Sequence, residues 1–481
     1  MPRLQIFIKR ENSDFACRLS FEKGESLLLL CQKAGIFINA PCNGKGSCGK
    51  CRVRFTKGAP LPVPAERKHL TPEELRLGIR LACMCTLTTD CEVVLPAEKE
   101  TDVITGGFEI RWSVDEDKKT PLQSCFIAAD IGTTTIVMEK RRLCDGERVA
   151  VYKAVNAQRK YGADVLTRME AALSGEKERL SRLLKEQLAE GIKKLQGDGK
   201  QMQFMVIAAN TTMVHLLMEY DVAGLSRAPF TPYTLDEIHT NIAGLETYVM
   251  PGISAFVGGD IVADLYAAEY LKNRQKAETQ YELLIDLGTN AELVLFGSGR
   301  GICSAAAAGP AFDLGAGTGF FGSDMIAILA ELLEKGVVDE NGTLDDAHFD
   351  TGALIPAKEG GLTVSQKQIR SLQLAKAAVR CGIDVLTAKM GIGVEQIGKV
   401  YLSGGFGYYL DVSAAVKIGL LPLSLARKTI ACGNMALLGA ALYAGNKIMG
   451  KENALPVALT AINLAKEPAF TENYINYINL T

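Results

Sequence analysis

Four cysteines near the amino terminus have a spacing that suits an inorganic redox centre. Cys42, Cys48 and Cys51 lie in the segment PCNGKGSCGKC, and Cys83 follows 32 residues after Cys51. Thiolates are the ligands that iron–sulfur clusters require, and four of them complete a [2Fe–2S] site. The glycines of the segment let the backbone turn closely around a cluster. The alternatives are a zinc site or inert thiols, but zinc favours paired CxxC knuckles, and only Cys48 and Cys51 form such a pair.

This spacing resembles that of adrenodoxin-like and related ferredoxin modules. The first gap is one residue longer than in the plant-type C-x4-C-x2-C pattern. In those modules the fourth ligand follows an Arg-Leu-small pattern, which matches the Arg-Leu-Ala tripeptide before Cys83. The resemblance therefore implies Cys83 rather than Cys85 as the fourth ligand. It also implies an α+β ferredoxin-type β-grasp domain, which we place at residues 1–98.

Two similar segments further along the chain each place an aspartate at the tip of a hairpin. Asp130 and Asp286 both end an apolar strand and precede a glycine turn and a second strand. Such turns present amide and hydroxyl groups to phosphate oxygens. The aspartates would hold Mg²⁺, directly or through water, because that ion prefers hard oxygen ligands. The turn residues are Gly132, Thr133 and Thr134 in the first copy, and Gly288, Thr289 and Asn290 in the second.

A third glycine turn, containing Gly404 and Gly405, follows the apolar segment 399–402. It would let an adenosine approach the backbone closely. In this order, the three motifs resemble the phosphate-1, phosphate-2 and adenosine motifs of the actin/Hsp70/sugar-kinase superfamily. The resemblance spans residues 125 to 448 and implies an α/β, two-lobed ATPase of the ASKHA, RNase H-like type.

Further segments narrow the family. The segments ANTTMVH from Ala209, FVGGD ending at Asp260, and CS-x4-GPAF from Cys303 look like those of ATP-dependent reductive activators of corrinoid proteins. Those proteins also carry a [2Fe–2S] ferredoxin domain before the ATPase domain. The connector in this chain is shorter than in the family pattern.

The resemblance assigns roles to three more residues, each with a structural alternative. Asn210 and Thr211 would line the γ-phosphate side of the site, or they form a buried hydrogen-bonded turn. Asp260 would orient the attacking water or bind Mg²⁺ through water, or it caps the helix that follows. The predicted catalytic set is therefore Asp130, Asp260 and Asp286.

The function implied by the resemblance is ATP-dependent reductive activation of a corrinoid protein, in which one electron passes through the cluster to convert Co(II) to Co(I). The implied cofactors are a [2Fe–2S] cluster, ATP and Mg²⁺. The implied partners are a corrinoid protein of a methyltransferase system, a low-potential electron donor and a second copy of the chain in a homodimer. One alternative is a small-molecule kinase of the same fold, but a kinase has no use for a cluster domain. The other is a redox-sensing scaffold in which bound nucleotide only fixes the conformation.

These sites require a definite domain organisation. After the ferredoxin domain, the polar stretch 99–122 predicts a linker. Apolar strands then alternate with helical patterns, which indicates α/β layering. We predict the first ATPase lobe at 123–255, the second at 256–452 and a closing strand and helix at 453–481. Strands are predicted at Leu4–Ile8 and Cys91–Leu95, and helices at Glu176–Leu195, Ile261–Asn273 and Ser365–Gly382.

Composition excludes two further classes. The chain has 481 residues, 48% of them hydrophobic and 22% charged, which is typical of a globular protein with a sizeable core. The 53 Lys and Arg residues nearly balance the 55 Asp and Glu residues, so we expect no binding to nucleic acid or to a membrane surface by bulk charge. The first residues lack the apolar core of a secretory signal, and we expect a cytoplasmic protein.

Overall fold

The fold is described from a computed structural model. It describes residues 4–12, 15–36, 38–40, 44, 46, 49–96, 110–112, 124–197, 202–275, 280–288, 290–306, 322–355 and 362–480. The chain divides into two compact units. The first unit comprises Met1–Asp102, Val155–Gln187 and His215–Pro229, and the second comprises Val103–Ala154, Leu188–Val214 and Phe230–Thr481.

A five-stranded mixed sheet forms the amino-terminal part of the first unit. Its elements are β1 (Leu4–Arg10), β2 (Ala16–Phe21), α1 (Leu27–Lys33), β3 (Arg52–Lys57), α2 (Pro72–Arg76), β4 (Ile79–Leu81) and β5 (Cys91–Leu95). The strand order is β2-β1-β5-β3-β4. The central pair β1 and β5 is parallel, with Ile6 opposite Cys91, and the other pairs are antiparallel. This mixed order is the β-grasp arrangement, and the strands expected from alternation are present.

Alternation of apolar and polar residues explains the sheet. Ile6 and Ile8 of β1 are fully buried, and Val53 and Phe55 of β3 lie in the same core, whereas the residues between them point outward. Leu27 of α1 closes this core from one side. A sheet with one buried face needs only this period-two pattern, because successive side chains in a strand point to opposite faces.

The described part of the remaining chain contains two six-stranded sheets and one two-stranded sheet, with intervening helices. The strands are β6 (Cys125–Ile131), β7 (Thr135–Arg142), β8 (Arg148–Val155), β9 (Met202–Ala209), β10 (Ile238–Ile242), β11 (Leu245–Val249), β12 (Tyr281–Leu287), β13 (Ala291–Gly297), β14 (Arg300–Ala306), β15 (Ala353–Ile355), β16 (Leu362–Val364), β17 (Ile397–Ser403), β18 (Thr429–Gly433) and β19 (Ala458–Ala461). The helices are α3 (Val165–Ala171), α4 (Lys177–Gln196), α5 (Thr211–Met218), α6 (Ala223–Ser226), α7 (Gly259–Gln275), α8 (Gly322–Glu334), α9 (Gln366–Met390), α10 (Gly404–Gly407), α11 (Val412–Lys417), α12 (Met435–Met449) and α13 (Pro468–Asn476).

The two large sheets repeat one topology. The first has the order β10-β11-β9-β6-β7-β8, and the second has the order β18-β17-β12-β13-β14-β19. In each, an antiparallel hairpin (β6–β7 or β12–β13) is extended by a parallel strand on its first member (β9 or β17). The repeat predicted from the two aspartate segments is therefore present, as expected for the RNase H-like fold.

Two helices pack directly against each other and join the sheets. Helix α7 contacts β9 and β12, and α12 contacts β6 and β9 as well as α7. The approach is close enough that a Cβ on Gly439 would lie 1.8 Å from the carbonyl oxygen of Ala263. Only glycine permits this contact, and the core of the two sheets is continuous through it.

Part of the predicted linker packs into the second unit. The Trp112 indole donates a hydrogen bond to the carbonyl of Leu143 over 2.9 Å and stacks on Phe126 with ring centroids 5.9 Å apart. Ile110 is fully buried beside it. The domain boundaries given above stay a prediction. Within the described residues, no helix combines the length and the apolar character that crossing a membrane requires.

Candidate functional site

The cluster site begins with two of the four predicted cysteines. Cys51 directly precedes β3, and Cys83 lies in the helical turn Ala82–Met84 directly after β4, which pairs with β3. Their Sγ atoms are 3.3 Å apart. The structure therefore brings together Cys51 and Cys83, and the predicted ligands Cys42 and Cys48 lie outside the described residues.

Glycines beside these cysteines adopt a backbone that other residues rarely reach. The φ angles of Gly46 and Gly49 are +71° and +66°. A Cβ on Gly46 would lie 1.8 Å from the methyl group of Met84, and one on Gly49 would lie 2.8 Å from the His69 ring. Left-handed backbone and lack of space both require glycine here. Two left-handed glycines next to paired thiols suit a backbone that turns around a cluster.

Two side chains form hydrogen bonds with this loop. The guanidinium of Arg52 donates to the carbonyl of Gly49 over 3.3 Å and to the carbonyl of His69 over 2.8 Å. The Nε2 atom of His69 lies 3.1 Å from the carbonyl oxygen of Gly46. Sequence reasoning missed both residues, because neither belongs to a cysteine motif.

The choice between Cys83 and Cys85 has a structural basis. Cys85 is fully buried, and its thiol donates to the carbonyl of Leu81 over 3.3 Å. Burial, followed by the charge of Glu66, raises the pKa of the Cys85 thiol far above its ordinary value. Cys83 is the better placed of the two, because its Sγ atom lies 3.3 Å from that of Cys51. Its role as the fourth ligand stays a prediction.

The first aspartate of the nucleotide site lies near the end of β6. Asn434, the residue that caps α12, donates from its side-chain amide to Asp130 over 2.7 Å. Burial, partly offset by this hydrogen bond, raises the pKa of Asp130 to about 7. In the adjoining turn, the Gly132 amide donates to the Thr135 carbonyl over 2.9 Å, and the turn also contains Thr134.

Asn210 and Thr211 lie on the neighbouring strand end. The amide of Asn210 donates to the Thr133 hydroxyl over 3.2 Å, which ties the end of β9 to the first phosphate turn. The hydroxyl of Thr211 donates to the carbonyl of Ser254 over 2.7 Å. The side-chain oxygen of Asn210 also accepts from the amide of Met213 over 2.9 Å. One of these partners, Thr133, belongs to a predicted phosphate loop, and a role of Asn210 and Thr211 at the γ-phosphate stays a prediction.

The second aspartate is adjacent to the third glycine turn. A Cβ on Gly404 would lie 2.3 Å from Oδ1 of Asp286, and the φ of Gly404 is +83°. Nothing lies within 4 Å of a Cβ on Gly405. Gly288 donates its amide to the carbonyl of Asn290 over 2.9 Å, and Thr289 of this turn lies outside the described residues.

Asp260 lies in the first turn of α7, and its carboxylate accepts from the amide of Ile261 over 2.9 Å. Burial, followed by the charges of Asp286 and Asp130, raises its pKa to about 7. The three predicted catalytic aspartates therefore lie close enough together to repel one another. The contact to Ile261 is to the adjacent residue, so the N-cap interpretation, which needs a hydrogen bond further along the helix, is not favoured.

Two further carboxylates were not predicted as site residues. Asp264, one helical turn after Asp260, is fully buried, and within the described residues neither of its oxygens has a hydrogen-bond partner, although Asp286 and the Ser403 hydroxyl lie close by. Burial, followed by the charge of Asp286, raises the pKa of both Asp264 and Glu292 well above their ordinary values. The D-x3-D spacing of Asp260 and Asp264 was a usable sequence signal.

This carboxylate group fits a divalent cation that brings its own ligands. Among the described residues, no three metal-ligating side chains converge closely enough to hold an ion alone. Mg²⁺ suits such a site, because it keeps several waters and binds phosphate oxygens together with one or two carboxylates. Burial disfavours the charged forms of Asp130, Asp260 and Asp286, and a cation bound there would stabilise those charged forms.

The fold and the sites define a class: a [2Fe–2S] ferredoxin-type domain joined to an ASKHA-type domain. Comparisons with known families agree. Residues 12–88 match the 2Fe-2S iron-sulfur cluster binding domain, residues 125–273 match the RACo middle region, and residues 280–318 and 314–481 match the C-terminal domain of RACo, the ASKHA domain. The two RACo models together span more than two thirds of the chain. The chain therefore belongs to the RACo family.

Individual proteins resemble the chain to different extents. The corrinoid activation enzyme RamQ of Eubacterium limosum is 25% identical, and the match covers 93% of this chain and 94% of that protein. The solved structure of a reductive activator for corrinoid, iron-sulfur protein shares the fold, with a TM-score of 0.62, 22% identity and coverage of 99% and 98%. A component of the Na⁺-translocating NADH-quinone reductase of Idiomarina loihiensis is 39% identical over 87 residues, which are 18% of this chain and 21% of that protein.

Proposed function

We propose that this chain is an ATP-dependent reductive activator that returns the cobalt of a corrinoid protein from Co(II) to Co(I) by one electron. The observation that carries the proposal is the union, in one chain, of a paired-thiol site in a ferredoxin fold and a carboxylate-lined site in an ASKHA fold. RamQ, which the chain matches over nearly its full length, is named as a corrinoid activation enzyme.

In the cluster domain, the residues hold and shape the electron-carrying centre. A [2Fe–2S] cluster on Cys42, Cys48, Cys51 and Cys83 would accept and release one electron at low potential. Arg52 and His69 hydrogen-bond to the carbonyls of Gly49 and Gly46 and so hold these two glycines in place. Hydrogen bonds from the loop and the degree of solvent exposure tune the potential of such a centre.

In the ATPase domain, the residues bind nucleotide between two strand ends. Asp130 and Asp286 would hold Mg²⁺, and the turns after them would donate amide hydrogens to the phosphates. The adenosine would lie over Gly404 and Gly405, where the backbone leaves open space. Asp260, with a pKa near 7, would accept a hydrogen bond from the attacking water and orient it.

The coupling of the two activities follows from energetics. Reducing Co(II) with an ordinary donor is uphill by about 2.3 kcal/mol for each 100 mV of potential difference. Nucleotide supplies this energy only if it binds two conformations of the protein with different affinity. Asp260 and Asn434 lie at the amino-terminal ends of α7 and α12, and these two helices pack against each other and against strands of both sheets. A shift of either residue on nucleotide binding would therefore move the helices that connect the two sheets.

The proposal includes the partners. The acceptor is the corrinoid protein of a methyltransferase system, the donor is a low-potential electron carrier, the chain works as a homodimer, and the reaction takes place in the cytoplasm.

The experiment is spectroscopic. Reduced, cluster-loaded protein is mixed anaerobically with a Co(II) corrinoid protein, and we expect the Co(I) absorbance band to form with Mg-ATP and not without it. Asp130→Asn should lose the ATP-dependent band while keeping the cluster spectrum. A band that forms equally well without ATP would remove the energy coupling.

A further inference from the structure

Charge is distributed unevenly along the chain. Residues 1–98 contain 15 Lys and Arg against 10 Asp and Glu, a net charge of +5. Residues 99–481 contain 38 Lys and Arg against 45 Asp and Glu, a net charge of −7. An oxidised [2Fe–2S] cluster on four thiolates brings about −2, so the loaded domain remains positive. The near-neutral total therefore conceals a basic ferredoxin domain.

Two of the basic residues flank a cluster ligand. Lys50 and Arg52 directly precede and follow Cys51, and both are exposed at the surface, Arg52 with 45% of its side chain. Because Arg52 donates to the carbonyl of Gly49, its charge is held at the cluster loop.

Two more lie in the helical turn Glu66–Lys68. Arg67 and Lys68 are exposed and directly precede His69, whose ring contacts the carbonyl of Gly46 in the same loop. Because the carbonyl of His69 also accepts from Arg52 over 2.8 Å, this turn brings its cations close to Arg52 and the cluster loop.

Two of the three acids of this region, Glu66 and Glu74, add little negative charge at the surface. Glu66 is 1% exposed, and its carboxylate accepts hydrogen bonds from the amides of Val63 and Leu81. Glu74 forms an ion pair with Arg52, and Glu73 is exposed on the first turn of α2. The surface around Cys51 is thus basic on balance.

We propose that this basic rim, defined as Lys50, Arg52, Arg67 and Lys68, is the docking surface for an acidic electron-donor protein. The donor loses one electron there and the bound cluster gains it. The inference deepens the proposed function and rests on it for the cluster. The positive charge of the rim favours the electron donor as its occupant over the corrinoid acceptor. An acceptor that responds to ATP must also contact the ATPase part of the chain, which is acidic. A donor needs to contact only the ferredoxin domain, which is basic.

The test measures the rate of cluster reduction in the full chain, without ATP and without corrinoid. The probe is a reduced, strongly acidic flavodoxin, which has no iron–sulfur cluster of its own, and the bleaching of this protein's cluster is followed by stopped flow. Steered association weakens steeply with salt, so we expect the second-order rate constant to fall about tenfold between roughly 0.02 and 0.5 M NaCl. At low salt, Lys68→Glu should lower it at least threefold, on the order expected for one reversed charge.

Lys57→Glu is the matched control, since it makes the same charge change at the exposed far end of β3, about 17 Å from Arg52 at 3.3 Å per residue. It should leave the rate almost unchanged. A neutral reductant, photoreduced deazariboflavin, should reduce wild type and Lys68→Glu equally fast.

Three outcomes would overturn the docking surface: a rate that is unaffected by salt or rises with it, equal effects of Lys57→Glu and Lys68→Glu, or equal slowing of Lys68→Glu with the neutral reductant. Failure of the proposed function is separately visible, because it would abolish the ATP-dependent Co(I) band while leaving these reduction rates intact.

Discussion

Burial raises the pKa of both Asp130 and Asp260 to about 7, and the charge of Asp286 adds to the effect at each. A carboxylate in this situation destabilises the fold at neutral pH, and such residues persist where function needs them. Asn434 compensates in part by donating to Asp130. The same residues that weaken the isolated domain are therefore the ones that would bind Mg²⁺ and nucleotide.

Asp130→Asn should consequently stabilise the protein without nucleotide and abolish stabilisation by nucleotide. The neutral amide avoids the desolvation of a charge, which we expect to add about 1–2 kcal/mol to the free energy of unfolding at pH 8. Urea unfolding with and without Mg-ATP measures both effects, and Asp350→Asn, at an exposed aspartate, is the control. A variant with the full Mg-ATP effect would show that Asp130 lies outside the nucleotide site.

At the cluster, the two neighbouring thiols should behave differently. Cys83→Ala should lose most of the iron, sulfide and visible absorbance after reconstitution, because a ligand is gone. Cys85→Ala should keep them and lose only about 1 kcal/mol of stability, from the buried hydrogen bond to Leu81. Metal analysis and visible spectra decide the matter, and the reverse pattern would make Cys85 the ligand.

At the scale of elements, periodicity predicted much of the fold. The helices expected at Glu176–Leu195, Ile261–Asn273 and Ser365–Gly382 are confirmed as α4, α7 and the first part of α9. The two aspartate hairpins are confirmed as well, because a buried strand followed by a glycine turn is a local pattern. Helix α9 extends eight residues beyond its predicted end, since the helical pattern continues to the glycine cap at Gly391.

The site residues that sequence analysis did not find are brought to the sites by tertiary structure. Asn434 caps α12, some 300 residues after its partner Asp130 in the chain, and no local pattern relates the two. His69 likewise reaches the carbonyl of Gly46 from 23 residues away. Arg52 bonds to Gly49 locally and joins it to His69, 17 residues further along the chain. Local sequence patterns predict which residues form an element, but they do not predict which distant elements meet.

The contact between α7 and α12 makes a prediction at this scale. Gly439→Val should force the helices apart, because its Cβ would overlap the carbonyl of Ala263, and we expect a loss of about 3 kcal/mol. Gly197→Ala, where a Cβ would have ordinary contacts, should change stability by less than about 0.5 kcal/mol. Chemical unfolding measures both. A near-neutral Gly439→Val would mean that the two helices do not pack tightly.

For the whole molecule, the cooperativity of unfolding depends on segments that form hydrogen bonds with distant parts of the second unit. The segment 478–480 is such a segment. Gln373 of α9 donates to the carbonyls of both Asn341 and Ile478, and the amide of Leu480 donates to the carbonyl of Glu340. Lys376, one turn further along α9, is fully buried and donates to the carbonyl of Asn479. Global stability should thus depend on this buried lysine.

Desolvation, followed by the charge of Arg380, lowers the pKa of Lys376 to about 8, against about 10.4 in an unfolded chain. Between these values the unfolded state binds more protons than the folded state, so this residue makes stability rise with pH. Below pH 8 Lys376 is protonated in both states, and the free-energy cost of burying its charge is fully present.

Lys376→Met should therefore be more stable than wild type at pH 7, by about 1–2 kcal/mol after the lost hydrogen bond is allowed for. The difference should shrink or reverse by pH 10 in urea unfolding. Lys367→Met, at an exposed position of the same helix, is the control. A difference between wild type and Lys376→Met that stays constant with pH would show that Lys376 is solvated in the folded protein.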